Sequence, residues 1–139
     1  MVRKILVPID GFELTERVIE TACDLSKTFG APMTLLHVVV LPVTTEPGFP
    51  IDPTPLEETG RKILQSASEI SNRKGCKADA IIKTDVGNAG HRIVRTAKEG
   101  NFDLIVIGAR SMSRIETLIL GSVSRTVTHS APCPVLVIH

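Results

Sequence analysis

The chain has 139 residues, 42% of them hydrophobic and 22% charged, with a formal net charge of +1. This is the size and make-up of one globular domain with a packed core, read here as a single domain over residues 1–139. Near-neutral charge excludes a surface built for nucleic acid or an anionic membrane, and four Phe without Tyr or Trp leave few rings for stacking on single-stranded bases.

The apolar run Lys4 to Ile9 predicts a strand covered on both faces. From Leu14 the period changes: Val18, Ala22, Leu25 and Phe29 recur every three or four residues, and Gly30 follows as a helix stop. Thr34 to Leu41 is the second strand. Residues 42–53 hold Pro42, Pro47, Pro50 and Pro53 and form a loop, since proline fixes φ and removes donors. The next helix opens with Thr54 as N-cap, Pro55 at the first helical position and Glu57 completing a capping box. Its inner face is Leu56, Ile63, Ala67 and Ile70, and Gly75 closes it.

Ala78 to Thr84 is the third strand. Asn88 caps a helix with Ala89, Ile93, Val94 and Ala97 on one face, ending at Gly100. Leu104 to Ile107 is the fourth strand, Val123 to Ser130 the fourth helix, stopped by Pro132, and Val135 to Ile138 the last strand. Strict alternation of strand and helix specifies an α/β fold: one parallel sheet, helices on both faces, right-handed crossovers. Ligands of such open sheets bind at the carboxyl ends of the strands, at the switch point.

Two segments fall on that rim. Gly108-Ala109-Arg110-Ser111, nine residues, then Gly121-Ser122 joins the fourth strand to the fourth helix. Glycine admits an anion close to the backbone, and the free N–H groups and dipole of the helix start attract it. Arg110, Ser111, Ser113 and Arg114 add donors suited to phosphate; the alternative is a plain turn with a helix cap. Val7-Pro8-Ile9-Asp10-Gly11 ends the first strand. Asp10 either meets a ribose hydroxyl or a phosphate-bound metal, or builds the strand-to-helix turn with Gly11. Gly87-Asn88 reads as a helix cap.

His37, His91, His129 and His139 form no metal-binding or catalytic spacing, and His37 reads as a packed or hydrogen-bonded strand residue. Cys23, Cys76 and Cys133 form neither a disulfide framework nor a zinc motif, which fits a reducing, cytoplasmic setting. Cys133, between Pro132 and Pro134, reads as a rigid connector. The N-terminus runs straight into a strand without a leader pattern, and no apolar run nears the roughly 20 residues that span a bilayer. There is no P-loop and no dinucleotide fingerprint. Without a lysine in the loop, a positioned base or a charge clamp, the expected activity is binding and not catalysis.

These motifs together resemble the universal stress protein family over essentially the whole chain. They are Lys4 to Gly11, Leu35-Leu36-His37-Val38-Val39, Gly87-Asn88-Ala89, Asp103 to Gly108, Gly121-Ser122-Val123-Ser124, and Ala131-Pro132-Cys133-Pro134-Val135-Leu136-Val137. The resemblance implies a five-stranded sheet of order 3-2-1-4-5, of the Rossmann-like adenine nucleotide alpha hydrolase-like type. It implies a homodimer paired through Val135–Ile138, and ATP or AMP as ligand, with magnesium or manganese carried on the phosphates. The ATP-binding branch has glycine, two residues, glycine, nine residues, then glycine and Ser/Thr. Here Ser111 stands for the second glycine, and Phe12 stands where the family often has a small hydroxyl residue. By that match Gly108, Gly121, Ser122 and Val123 meet phosphates or ribose, Asp10 meets the ribose or metal, and Pro8, Ile9, Val38 and Ile107 shape the adenine pocket; Arg110, Ser111 and Ser124 complete the candidate binding residues. The implied role is nucleotide sensing in the stress response. The alternatives are a dimeric interaction module of the same fold that binds no nucleotide, and a slow nucleotide hydrolase.

Overall fold

The computed structural model describes residues 1–43, 48, 51–109 and 120–139. Nine elements follow one another: β1 (Ile5–Pro8), α1 (Thr15–Phe29), β2 (Met33–Leu41), α2 (Thr54–Arg73), β3 (Asp79–Val86), α3 (Ala89–Glu99), β4 (Leu104–Gly108), α4 (Ser122–Ser130) and β5 (Val135–Ile138). The strands form one parallel sheet of order β3-β2-β1-β4-β5.

Period-two alternation sends successive strand residues to opposite faces. Ile5, Val7, Met33, Leu35, Leu104 and Val106 pack under α1 and α2 with Val18, Ile19, Ala22, Leu64 and Ala67. Leu6, Leu36, Val38, Ile105 and Ile107 pack under α3 and α4 with Ile93, Ala97 and Val127. The central strand is apolar on both faces because both are covered: Ile5, Leu6 and Val7 are fully buried. After β1 the chain passes to one face of the sheet, and after β4 to the other. The carboxyl ends of these adjacent strands therefore part and leave a cleft between them.

Local details depart from the sequence pattern in instructive ways. The expected capping box at Thr54 does not form. Pro53 is the cap residue, Thr54 is already helical, and no side chain caps from within the helix. The Asp52 carboxylate instead accepts the Thr54 N–H at 3.0 Å, which holds its pKa below the ordinary carboxylate value. β3 runs two residues past Thr84, because its ladder with β2 continues to Leu41 opposite Val86. α1 starts at Thr15, one residue after Leu14, and α4 starts at Ser122, one residue before Val123. α3 ends at Gly100 as expected, and glycine is required there because a Cβ would lie 2.5 Å from the Phe102 ring.

Candidate functional site

The turn after β1 is built by Asp10. Its Oδ1 accepts the Phe12 N–H at 2.9 Å, an Asx turn that needs Gly11 at φ 82°. A Cβ on Gly11 would also press on Ile63 at 3.0 Å. The turn-building role read for Asp10 is therefore real, and it uses one carboxylate oxygen. Burial raises the Asp10 pKa above its ordinary value; the backbone N–H groups of Phe12 and Asp10, the charge of His37 and the nearby Thr15 hydroxyl pull the other way without cancelling it.

The far side of the cleft is the junction of β4 and α4. The Gly121 N–H donates to the Ala109 carbonyl at 2.8 Å and brings the two described ends of the Gly108–Ser122 segment together. Gly121 caps α4 in an extended conformation with no side-chain cap. Arg125 N–H closes on the Gly121 carbonyl, so among the described residues the N–H groups of Ser122, Val123 and Ser124 are left without an acceptor. Ser124, 3% exposed, donates its hydroxyl to the Gly108 carbonyl at 2.6 Å and ties α4 to β4.

Between these walls lies a cleft of about 470 Å³, within the usual range for a small-molecule site. It is lined by Pro8, Ile9, Asp10, Val38, Ile107, Gly108, Gly121, Val123 and Ser124 among the residues singled out from sequence. Of the rest, Ser122 opens α4 at the same junction but is not in the lining, and Arg110, Ser111, Ser113 and Arg114 lie outside the described residues. The Asn88 side chain accepts the Gly90 N–H at 2.6 Å, the helix cap read from sequence, and its neighbour Ala89 reaches the cleft.

The lining also includes residues that the sequence did not mark as ligand contacts, among them Thr15, His37, Thr59 and Ile93. His37 Nδ1–H donates to the Ile9 carbonyl at 2.9 Å, a strand-to-strand tie that also sets the ring in the cleft wall. Its ring lies against Gly60 of α2, where a Cβ would come within 2.8 Å of Cδ2. Phe12 is 44% exposed and forms part of the lining. The hydroxyl at Thr15, one turn past the Asp-Gly pair, is the sequence signal that would have pointed to this wall. Among the described residues no group of three His, Cys, Asp or Glu side chains is placed to hold a metal ion, and no helix is long and apolar enough to cross a membrane.

The universal stress protein family model matches residues 1–139. Universal stress protein YxiE of Bacillus subtilis is 33% identical over 149 residues, covering 99% of each chain. Among solved structures, a universal stress protein from Archaeoglobus fulgidus superposes with a TM-score of 0.81 at 28% identity, both chains covered in full. A structure of the universal stress protein from Archaeoglobus fulgidus in complex with dAMP superposes at 0.75 with 27% identity, again over the whole of both chains.

Proposed function

The chain belongs to the universal stress protein family, and on that footing we propose that it binds an adenine nucleotide, AMP or ATP, in the cleft between β1 and β4. The observation that carries this is the convergence, on one cleft, of an apolar slot, a carboxylate and a helix start whose first N–H groups meet no acceptor among the described residues. Val38, Ala89, Ile93, Ile107 and Val123 supply the slot for a base. Asp10 keeps one oxygen outside its turn for a sugar hydroxyl. Gly108, Gly121 and the N–H groups that open α4 receive phosphate, which the helix dipole favours. The dAMP complex of the Archaeoglobus fulgidus relative supports the same ligand class.

Binding without turnover is the reading that fits the lining. No lysine or arginine is among its described residues to stabilise a transferring phosphoryl group. With no three-ligand cluster among the described residues, a magnesium or manganese ion here would take phosphate oxygens as ligands beside Asp10. The protein acts as a homodimeric sensing module in the stress response. Among the described residues β5 is an edge strand paired with β4 alone, with Leu136 38% exposed, a surface that favours pairing with a second copy. Three free cysteines suit a reducing, cytoplasmic setting.

The test is direct. The purified protein is denatured and any released ligand identified by chromatography. Recovery of AMP or ATP supports the proposal. An empty protein that also gives no calorimetric response to millimolar ATP or AMP would favour the interaction-module alternative.

A further inference from the structure

Apart from Asp10, the polar side chains of the cleft are mostly bonded within the protein. His37 Nδ1 is bonded to the Ile9 carbonyl, Thr59 Oγ1 donates to the Pro55 carbonyl, and Ser124 Oγ donates to the Gly108 carbonyl. Thr15 is the exception. Its Oγ1 is buried, and among the described residues it has no hydrogen-bond partner. It sits in the cleft wall near the Asp10 carboxylate, where it helps to lower that group's pKa, but the two are not joined at hydrogen-bonding distance and angle. A buried hydroxyl left unpaired is costly and calls for a partner that arrives from outside the chain.

We propose that Thr15 is a specificity-determining residue that, with Asp10, reads the two hydroxyls of a ribose and makes the site prefer ribonucleotides. The proposal rests on the adenine-nucleotide reading of the same cleft. Asp10 Oδ1 is occupied by the Phe12 N–H, so the carboxylate has one oxygen to accept a sugar hydroxyl. The second hydroxyl of the vicinal pair pairs with Thr15 Oγ1, which can donate and accept. A deoxy carbon at either position can do neither, and it leaves a buried polar group of the protein unpaired. Sites built to bond a ligand hydroxyl reject its deoxy analogue for this reason.

Calorimetric titrations with AMP, 2′-deoxy-AMP and 3′-deoxy-AMP test the pairing. The wild-type protein is expected to bind each deoxy analogue about tenfold more weakly than AMP, the effect of one bond lost to a buried group. In Thr15→Val one of the two penalties disappears, because AMP loses what the analogue already lacked; in Thr15→Ser both penalties return. Thr15→Val also melts no lower than wild type without ligand, as removing an unpaired hydroxyl costs the empty protein nothing. Equal affinity of wild type for all three nucleotides overturns the inference while leaving nucleotide binding intact, as does Thr15→Val retaining both penalties. No binding of any of the three overturns the underlying reading instead.

Discussion

Ser124 and Gly108 are joined by a 2.6 Å hydrogen bond from the serine hydroxyl to the glycine carbonyl, with the serine 3% exposed. This bond fixes the start of α4 against the end of β4, and with it the N–H groups proposed to receive phosphate. Ser124→Ala leaves the carbonyl unpaired and should cost about 1–2 kcal/mol of stability. Nucleotide affinity should fall as the helix start loses its anchor. Chemical denaturation and a calorimetric titration of the same variant measure both effects.

Asp10 carries a conflict between folding and binding. Its raised pKa means that the folded protein favours the protonated carboxyl. That contribution is fully present below the ordinary value of 3.8 and is lost as pH rises through the folded-state pKa. An asparagine keeps an oxygen for the Phe12 N–H and carries no charge to desolvate. Asp10→Asn should therefore gain stability relative to wild type as pH rises above 3.8, while losing nucleotide affinity. Melting curves between acid and neutral pH would read the first effect. A variant that is less stable than wild type at neutral pH would show that burial is not the dominant influence on Asp10.

Gly60 lets α2 approach the sheet beside the site. A Cβ would come within 2.8 Å of His37 Cδ2, 3.0 Å of Ile82 Cδ1 and 3.1 Å of Val39 Cγ2. Overpacking of this kind costs about 1–3 kcal/mol, against a helix gain of about 1 kcal/mol for alanine over glycine. Gly60→Ala should be destabilising by up to about 2 kcal/mol net, and should shift the His37 ring. Denaturation midpoints and the histidine resonances in an NMR spectrum check the two parts.

Gly108 is the opposite case. A Cβ there meets Leu14 and Val18 at 3.4–3.5 Å, ordinary contact, and its φ is not in the left-handed region. The fold does not require glycine at this position. Gly108→Ala should stay within about 1 kcal/mol of wild type in stability and bind AMP more weakly. A variant with unchanged affinity would remove Gly108 from the ligand contacts.

The fold could be read from the sequence because each element repeats one period. β1, β2 and β4 show the nearly continuous apolar runs of strands buried on both faces, and the helices show one-sided stripes. Asp10, Gly108 and Gly121 could be placed on one rim because strand ends and helix starts are local signals, and the topology then brings them together. What the sequence hid depends on partners distant in the chain. The last two residues of β3 are in the sheet because β2 continues opposite them. Asp52 caps α2 from outside the helix in place of Thr54. Thr15 stands out only when every other cleft hydroxyl is found to be engaged, and no periodicity records that.

The most direct test of the central claim is a titration of the isotopically labelled protein with AMP and ATP, followed by backbone amide shifts. Saturable shifts centred on Asp10, Gly108 and residues 121–124 are the predicted result. Unchanged spectra at millimolar nucleotide, or shifts confined to residues away from this cleft, would contradict it.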